Sequence, residues 1–150
     1  RPPISTLFPY TTLFRSGGGS LHPATMETVQ QKMHYVYQDG KTVFKYAVKG
    51  MSSVSEAVLK RNGLSGKDLD YLIPHQANMR IIDAVAKKLE LRPEQVIINI
   101  QHYGNTTAAT IPLAMSEAHQ QQKFKKDDWV LLSAFGAGFT WGSLLMRWGM

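Results

Sequence analysis

The sequence contains no cysteine among its 150 residues. This absence excludes disulfide bonds, thiolate metal ligands and a cysteine nucleophile within the chain. There is also no run of about 18 apolar residues, so the sequence predicts no membrane-spanning helix. No basic stretch followed by an unbroken apolar segment opens the chain, so no secretory signal is expected. These observations leave the cytoplasm as the default compartment.

Acidic residues are fewer than basic ones, with 11 against 17, and the formal net charge is +6. Such a charge attracts nucleic acid, anionic lipid, nucleotide cofactors or an acidic protein. The one basic cluster, residues 123–126, is followed at once by Asp127 and Asp128. That pattern favours a solvated turn over a nucleic-acid patch. We therefore expect no nucleic-acid module. The histidines show no metal-ligand spacing, so we also expect no metal site.

Composition divides the chain into three parts. Residues 1–16 contain no acidic residue, no helical spacing of apolar residues and no alternation of apolar and polar residues. This pattern predicts a non-native, adapter-like tract. A native disordered arm is the alternative interpretation of this tract. Residues 17–40 are predicted to be a loop or linker, beginning with Gly-Gly-Gly-Ser. Residues 41–150 are predicted to form one α/β half-domain, and the hydrophobic content of the whole chain, 43%, is enough for a packed core.

Helices and strands alternate along residues 41–150, as judged from the spacing of apolar residues. Three-to-four-residue spacing predicts helices, and short β-branched or apolar runs predict strands. This order predicts a layered α/β fold whose sheet is mostly parallel, closed by an antiparallel hairpin. The predicted helices are Thr42–Arg61, Asn78–Leu89 and Thr107–Gln121, and the predicted strands are Asp70–Pro74, Val96–Gln101, Trp129–Phe135 and Phe139–Trp148.

Two polar motifs each follow a predicted strand, at residues 74–80 (PHQANMR) and 102–107 (HYGNTT). Open α/β folds keep their chemistry at the carboxyl ends of strands. His75 and Asn105 can both donate hydrogen bonds to one developing oxyanion. The spacing alone also fits a surface or core histidine and an asparagine that caps a turn. A third motif, residues 135–142 (FGAGFTWG), fits a tight hairpin, a backbone oxyanion site or both.

Together, residues 74–82, 104–112 and 135–142 resemble the β-ketoacyl-acyl-carrier-protein synthase III family of the thiolase superfamily. The resemblance covers roughly residues 20–150 and implies the C-terminal half of a thiolase-like, layered α-β-α fold. It implies an acyltransferase that joins a short acyl group from acyl-coenzyme A to malonyl-acyl-carrier protein, initiating fatty-acid biosynthesis. The cysteine nucleophile of such enzymes would lie in an N-terminal half that this sequence lacks.

The resemblance also implies roles for individual residues. His75 and Asn105 would be catalytic, steadying the malonyl enolate, and the backbone N–H near Ala137 would help to form an oxyanion hole. Residues bordering the pantetheine of coenzyme A would be Gly40, Phe44 and Asn78. Residues meeting the acyl carrier protein would be Gln76, Ala77, Asn78, Met79, Arg80 and Lys45.

The implied partners are acyl carrier protein and acyl-coenzyme A, the latter as a substrate with no bound cofactor. The intact enzyme would be a homodimer without nucleic-acid or membrane partners. We expect this chain alone to be inactive and poorly soluble. A non-catalytic thiolase-fold partner that binds carrier protein is the alternative, although a decoy has no physical need for both donors.

Overall fold

The computed structural model describes residues 14–15, 23–35 and 37–149. Most of the predicted adapter-like tract 1–16 lies outside these residues. The described chain divides into two units, one within residues 1–46 with 137–139 and the other within 47–136 with 140–150.

The first unit contains two short strands, a short helix and the start of a long helix. Strand β1 (Phe14–Arg15) pairs antiparallel with β2 (Tyr37–Gln38), and helix α1 (Met26–Gln30) lies between them in sequence. Thr25 begins α1 because its hydroxyl accepts a hydrogen bond of 3.1 Å from the Thr28 N–H. Within residues 17–40, which are predicted to be a loop or linker, the structure therefore has the five-residue helix α1 and the two-residue strand β2.

Helix α2 (Gly40–Arg61) begins two residues before its predicted start. The reason is Asp39, whose carboxylate accepts hydrogen bonds from the Thr42 N–H at 3.1 Å and from its hydroxyl at 2.9 Å. Gly50 does not interrupt the helix. A Cβ at Gly50 would come within 2.7 Å of the Trp141 indole, so this glycine makes room for that ring.

The second unit is built on a three-stranded sheet. Strand β3 (Tyr71–Pro74) pairs parallel with β4 (Trp129–Gly136), and β4 pairs antiparallel with β5 (Thr140–Arg147). The predicted α/β fold with a closing antiparallel hairpin is confirmed, and the sheet is mixed, with one parallel and one antiparallel strand pair rather than mostly parallel pairs. Each strand boundary lies within one residue of its prediction because the apolar runs end at polar or glycine positions.

Three further α-helices belong to this unit: α3 (Met79–Lys88), α4 (Ile100–Tyr103) and α5 (Thr110–Gln120). Its described residues also form three short 3₁₀ helices, of which Thr107–Ala109 precedes α5. The predicted strand at Val96–Gln101 is wrong. Only Val96 makes a bridge, parallel to Leu72, and the segment then turns into α4.

Apolar residues cover both faces of the sheet. Leu72 and Leu131 pack in one cluster with Val85 of α3. Their neighbours Ile73 and Val130 point to the opposite face and pack with Ala114 and Ala118 of α5. Burial on both faces is what a parallel strand requires, and it produces the α-β-α layering. Within the described residues, no helix is long and apolar enough to cross a membrane.

Candidate functional site

His75 is the first residue after β3 and lies half-buried at the carboxyl end of the sheet. Its backbone N–H donates to the Ser133 carbonyl at 2.8 Å, which extends the β3–β4 ladder by one bond. Its ring Nδ1 lies 2.6 Å from the Thr110 hydroxyl. Burial lowers the pKa of the His75 imidazole, so the neutral ring is favoured at pH 7.

Asn105 is exposed and lies between α4 and the turn Thr107–Ala109. Its Oδ1 accepts a hydrogen bond of 2.9 Å from the Thr107 N–H. The asparagine therefore forms a local turn, as the simpler interpretation of the motif predicts. Because the amide oxygen is held within the turn, the NH₂ group is the end that can donate to a ligand.

One short turn connects the two side chains. Thr107 donates its N–H to Asn105, and its carbonyl oxygen lies 3.1 Å from the Thr110 hydroxyl. That hydroxyl also contacts His75. The sequence motifs at 74–80 and 102–107 are thus brought together through residues 107–110, although Asn105 does not follow a strand as predicted.

Thr107 itself has a φ of 54°, in the left-handed region that β-branched residues rarely adopt. Such strained conformations cluster at functional sites, where surrounding contacts hold them. The hydrogen bond from Thr107 to the Asn105 side chain is one such contact. The turn is therefore specified by its neighbours rather than by the local preference of threonine.

Gln76 is fully buried and makes four hydrogen bonds within its own chain. Its Nε2 donates to the carbonyls of Pro74 and Ile97, and its Oε1 accepts from the N–H groups of Asn99 and Ile100. This corrects the prediction that Gln76 contacts a carrier protein. A side chain without exposed surface or remaining hydrogen-bonding capacity is not available to a partner.

The residues after Gln76 lie nearer the surface. Asn78 begins α3 as its N-cap, with its Oδ1 accepting from the Arg80 N–H at 2.9 Å. Asn78, Met79 and Arg80 are exposed, and Ala77 is half-buried. Their predicted contacts with carrier protein and pantetheine require this exposure and stay predictions.

Four predicted site residues belong to the first unit. Gly40 and Lys45 are exposed on α2, and Phe44 of the same helix is half-buried. Ala137 is exposed in the turn that joins β4 to β5. The roles of these four residues also stay predictions.

Sequence reasoning missed Thr110, which is only 2% exposed. The sequence offered no signal for it beyond a hydroxyl near the start of a predicted helix. Its contact with His75 joins residues 35 positions apart.

Among the described residues, no group of three or more histidine or acidic side chains could hold a metal ion. The candidate site pairs the imidazole of His75 with the amide of Asn105, and both groups are able to donate hydrogen bonds to a developing oxyanion.

Comparison with known proteins shows that this chain is similar to 3-oxoacyl-[acyl-carrier-protein] synthases. The family model described as 3-oxoacyl-[acyl-carrier-protein] synthase III C terminal matches residues 59–148. The β-ketoacyl-[acyl-carrier-protein] synthase III of Koribacter versatilis is 62% identical over 136 residues, covering 91% of this chain and 41% of that relative. A second relative, from Bacteroides thetaiotaomicron, is 50% identical over 137 residues and is covered over 40% of its length.

Solved structures give the same result. The crystal structure of 3-oxoacyl-(acyl carrier protein) synthase III from Pseudomonas aeruginosa matches with a TM-score of 0.78 and 41% identity, over 92% of this chain and 40% of that one. The Thermus thermophilus enzyme matches with a TM-score of 0.80 and 34% identity, over 95% and 43%. The predicted thiolase-like fold is confirmed, and the chain spans about two-fifths of the length of these relatives.

Proposed function

The chain belongs to the 3-oxoacyl-[acyl-carrier-protein] synthase III family, within the thiolase superfamily, and we propose that it carries the enolate-stabilising part of a condensing site. The observation that carries this proposal is the turn at residues 107–110, which contacts both His75 and Asn105. It supports a site in which both side chains act on one substrate oxygen.

The proposed reaction is a decarboxylating condensation that initiates fatty-acid biosynthesis. The bond between the malonyl carboxylate and its α-carbon breaks, carbon dioxide leaves, and the electron pair moves onto the thioester as an enolate. His75 and Asn105 donate hydrogen bonds to the enolate oxygen. The α-carbon then attacks the carbonyl carbon of an acyl thioester, which forms the new carbon–carbon bond, breaks the carbon–sulfur bond and releases the thiolate that carried the acyl group.

The acyl group would come from acyl-coenzyme A and would be held on a nucleophile outside this cysteine-free chain. The enolate would form from malonyl-acyl-carrier protein. The whole enzyme would act as a homodimer. An acidic carrier protein suits a chain with a net charge of +6, and exposed Lys45 and Arg80 are its proposed contacts. Alone, this chain would give no turnover with these substrates.

A chimera tests the proposal. The aligned stretch of this chain replaces its counterpart in the Koribacter versatilis relative. Condensation of acetyl-coenzyme A with malonyl-carrier protein is then measured, and we expect activity. Loss of one oxyanion donor costs about 10²–10³-fold in kcat, so His75→Ala and Asn105→Ala should each fall by that factor. His102→Ala, at an exposed histidine three residues before Asn105, is the control and should leave kcat unchanged.

The same chimera separates the alternative function. If it binds carrier protein but gives no product, while the unaltered relative is active, a non-catalytic binding role would replace the proposed one. If the double variant lacking His75 and Asn105 keeps the full rate, neither residue stabilises the enolate. Turnover by the isolated chain would contradict the assignment of the nucleophile to a region outside it.

A further inference from the structure

The hydroxyl group of Thr110 contacts the Nδ1 atom of the His75 ring. Thr110 is the first residue of α5 and is 98% buried, and its hydroxyl oxygen has two polar neighbours. One is the Nδ1 atom of His75 at 2.6 Å, and the other is the carbonyl oxygen of Thr107 at 3.1 Å. A hydroxyl has one hydrogen, so it donates to one of these atoms at a time.

The two distances favour donation to the histidine. Hydrogen bonds donated by an O–H group are shorter than those donated by an N–H group, with typical lengths of about 2.7–2.8 Å against about 2.9–3.0 Å. The contact of 2.6 Å to Nδ1 fits an O–H donor, whereas the contact of 3.1 Å to Thr107 is a weaker competitor. A neutral imidazole offers a lone pair on whichever nitrogen lacks the proton.

We propose that Thr110 is a positioning residue that donates to Nδ1 of His75 and so keeps the ring proton on Nε2. This inference rests on the proposed function, because an enolate oxygen needs a donor and a bare Nε2 would repel it. Among the described residues, no hydrogen bond engages Nε2, which leaves that atom for a ligand. Thr110 thereby determines whether the ring presents a donor or an acceptor.

The nearby Thr106 offers a matched control. Its hydroxyl is buried and has no hydrogen-bond partner among the described residues. Thr106→Val and Thr110→Val make the same chemical change, replacing a hydroxyl by a methyl group within the same turn region. Only the second removes a hydrogen bond to His75, and Thr110→Ser restores the hydroxyl.

The experiment is nitrogen-15 NMR of the histidine rings in the 150-residue chain, at about pH 8 where a histidine is neutral. Two-bond proton–nitrogen spectra distinguish a protonated ring nitrogen from a bare one. We expect the proton on Nε2 in the native chain and in Thr110→Ser and Thr106→Val. In Thr110→Val the ratio of the Nε2–H to the Nδ1–H form should fall about fivefold, the factor that corresponds to one hydrogen bond of about 1 kcal/mol.

Two results would overturn the inference. One is a native ring protonated on Nδ1, which would mean that Thr110 accepts from His75 and donates to Thr107. The other is an unchanged ratio in a folded Thr110→Val chain. The native spectrum decides the first point even where that variant does not fold. The NMR measurement uses no substrate, so its result is independent of the chimera assay. An inactive chimera together with an Nε2–H ring in the chain would refute the proposed function alone. An active chimera together with an Nδ1–H ring in the chain would refute this inference alone.

Discussion

Replacing Gln76 by methionine should strongly destabilise the second unit. The side chains are similar in volume, so the change removes hydrogen bonds while leaving the buried space filled. Four backbone groups lose their partner: the carbonyls of Pro74 and Ile97 and the N–H groups of Asn99 and Ile100. None of the four can be replaced by the methionine thioether, which is only a weak acceptor.

The magnitude follows from the burial of these groups. Pro74, Ile97 and Asn99 are buried residues, whereas Ile100 is half-buried and its N–H has a route to water. An unsatisfied buried donor or acceptor costs about 1–3 kcal/mol. Three such groups predict a loss of about 3–9 kcal/mol in the free energy of unfolding, which is a large part of the total for a small domain.

The assay is urea unfolding of the chain, followed by tryptophan fluorescence, with Gln101→Met as the control at an exposed position. The control should change the free energy of unfolding by no more than about 0.5 kcal/mol. A Gln76→Met chain within about 1 kcal/mol of the native one would refute the reasoning, because the cost of the orphaned groups would then be absent.

A second variant at this position tests the same hydrogen bonds through pH. In Gln76→Glu, the ionised carboxylate accepts but cannot donate, and burial raises its pKa above the ordinary value. The folded state then binds more protons than the unfolded one, so stability falls as pH rises above about 4.3. The free energy of unfolding should therefore be higher near pH 4 than near pH 7, relative to the native chain at each pH, and equal differences would contradict the burial of this side chain.

Two further predictions concern packing and protonation. Gly66→Ala should destabilise the chain by about 1–3 kcal/mol, because a Cβ there would collide with the backbone carbonyl oxygen of Leu89. Gly142→Ala is the control, since a Cβ there meets nothing within 4 Å, and equal urea midpoints for the two variants would contradict the clash. His75 should titrate below its ordinary pKa in NMR, because burial disfavours the charged ring. The folded state then binds fewer protons than the unfolded one, so the native chain should lose stability as pH falls below about 6.5, and His75→Gln should remove that part of the loss.

The order of helices and strands could be predicted because apolar spacing reports which side chains are buried. The failure at Val96–Gln101 has a specific cause. Ile97 donates to Leu72 as a strand residue would, but its carbonyl oxygen is bound by Gln76. The Gln76 side chain also accepts hydrogen bonds from the backbone N–H groups of Asn99 and Ile100. It therefore takes the hydrogen bonds that a neighbouring strand would otherwise make with this segment. A β-branched run does not reveal that a glutamine 21 positions earlier ends its ladder.

Individual site residues could be predicted more readily than their support. His75 and Asn105 belong to recognisable motifs, and both reach the same turn in the structure. The contact between His75 and Thr110 depends on how α5 packs beside the sheet, which local sequence does not specify. The left-handed backbone of Thr107 is likewise a consequence of its surroundings, since threonine disfavours it.

The hydrogen bonds of this site separate a polar residue that stabilises the fold from two residues that keep a donor for a ligand. Gln76 uses both its donors and its acceptor within the chain, so it stabilises the fold and has nothing to offer a ligand. His75 and Asn105 each have one polar end held by the turn, through Nδ1 and Oδ1. Oδ1 of Asn105 is an acceptor, and Nδ1 of His75 is an acceptor in the arrangement that we propose for Thr110. What remains on each is an N–H donor without a hydrogen bond among the described residues. A site that retains only donors is matched to an anionic oxygen, which is the charge that develops in an enolate.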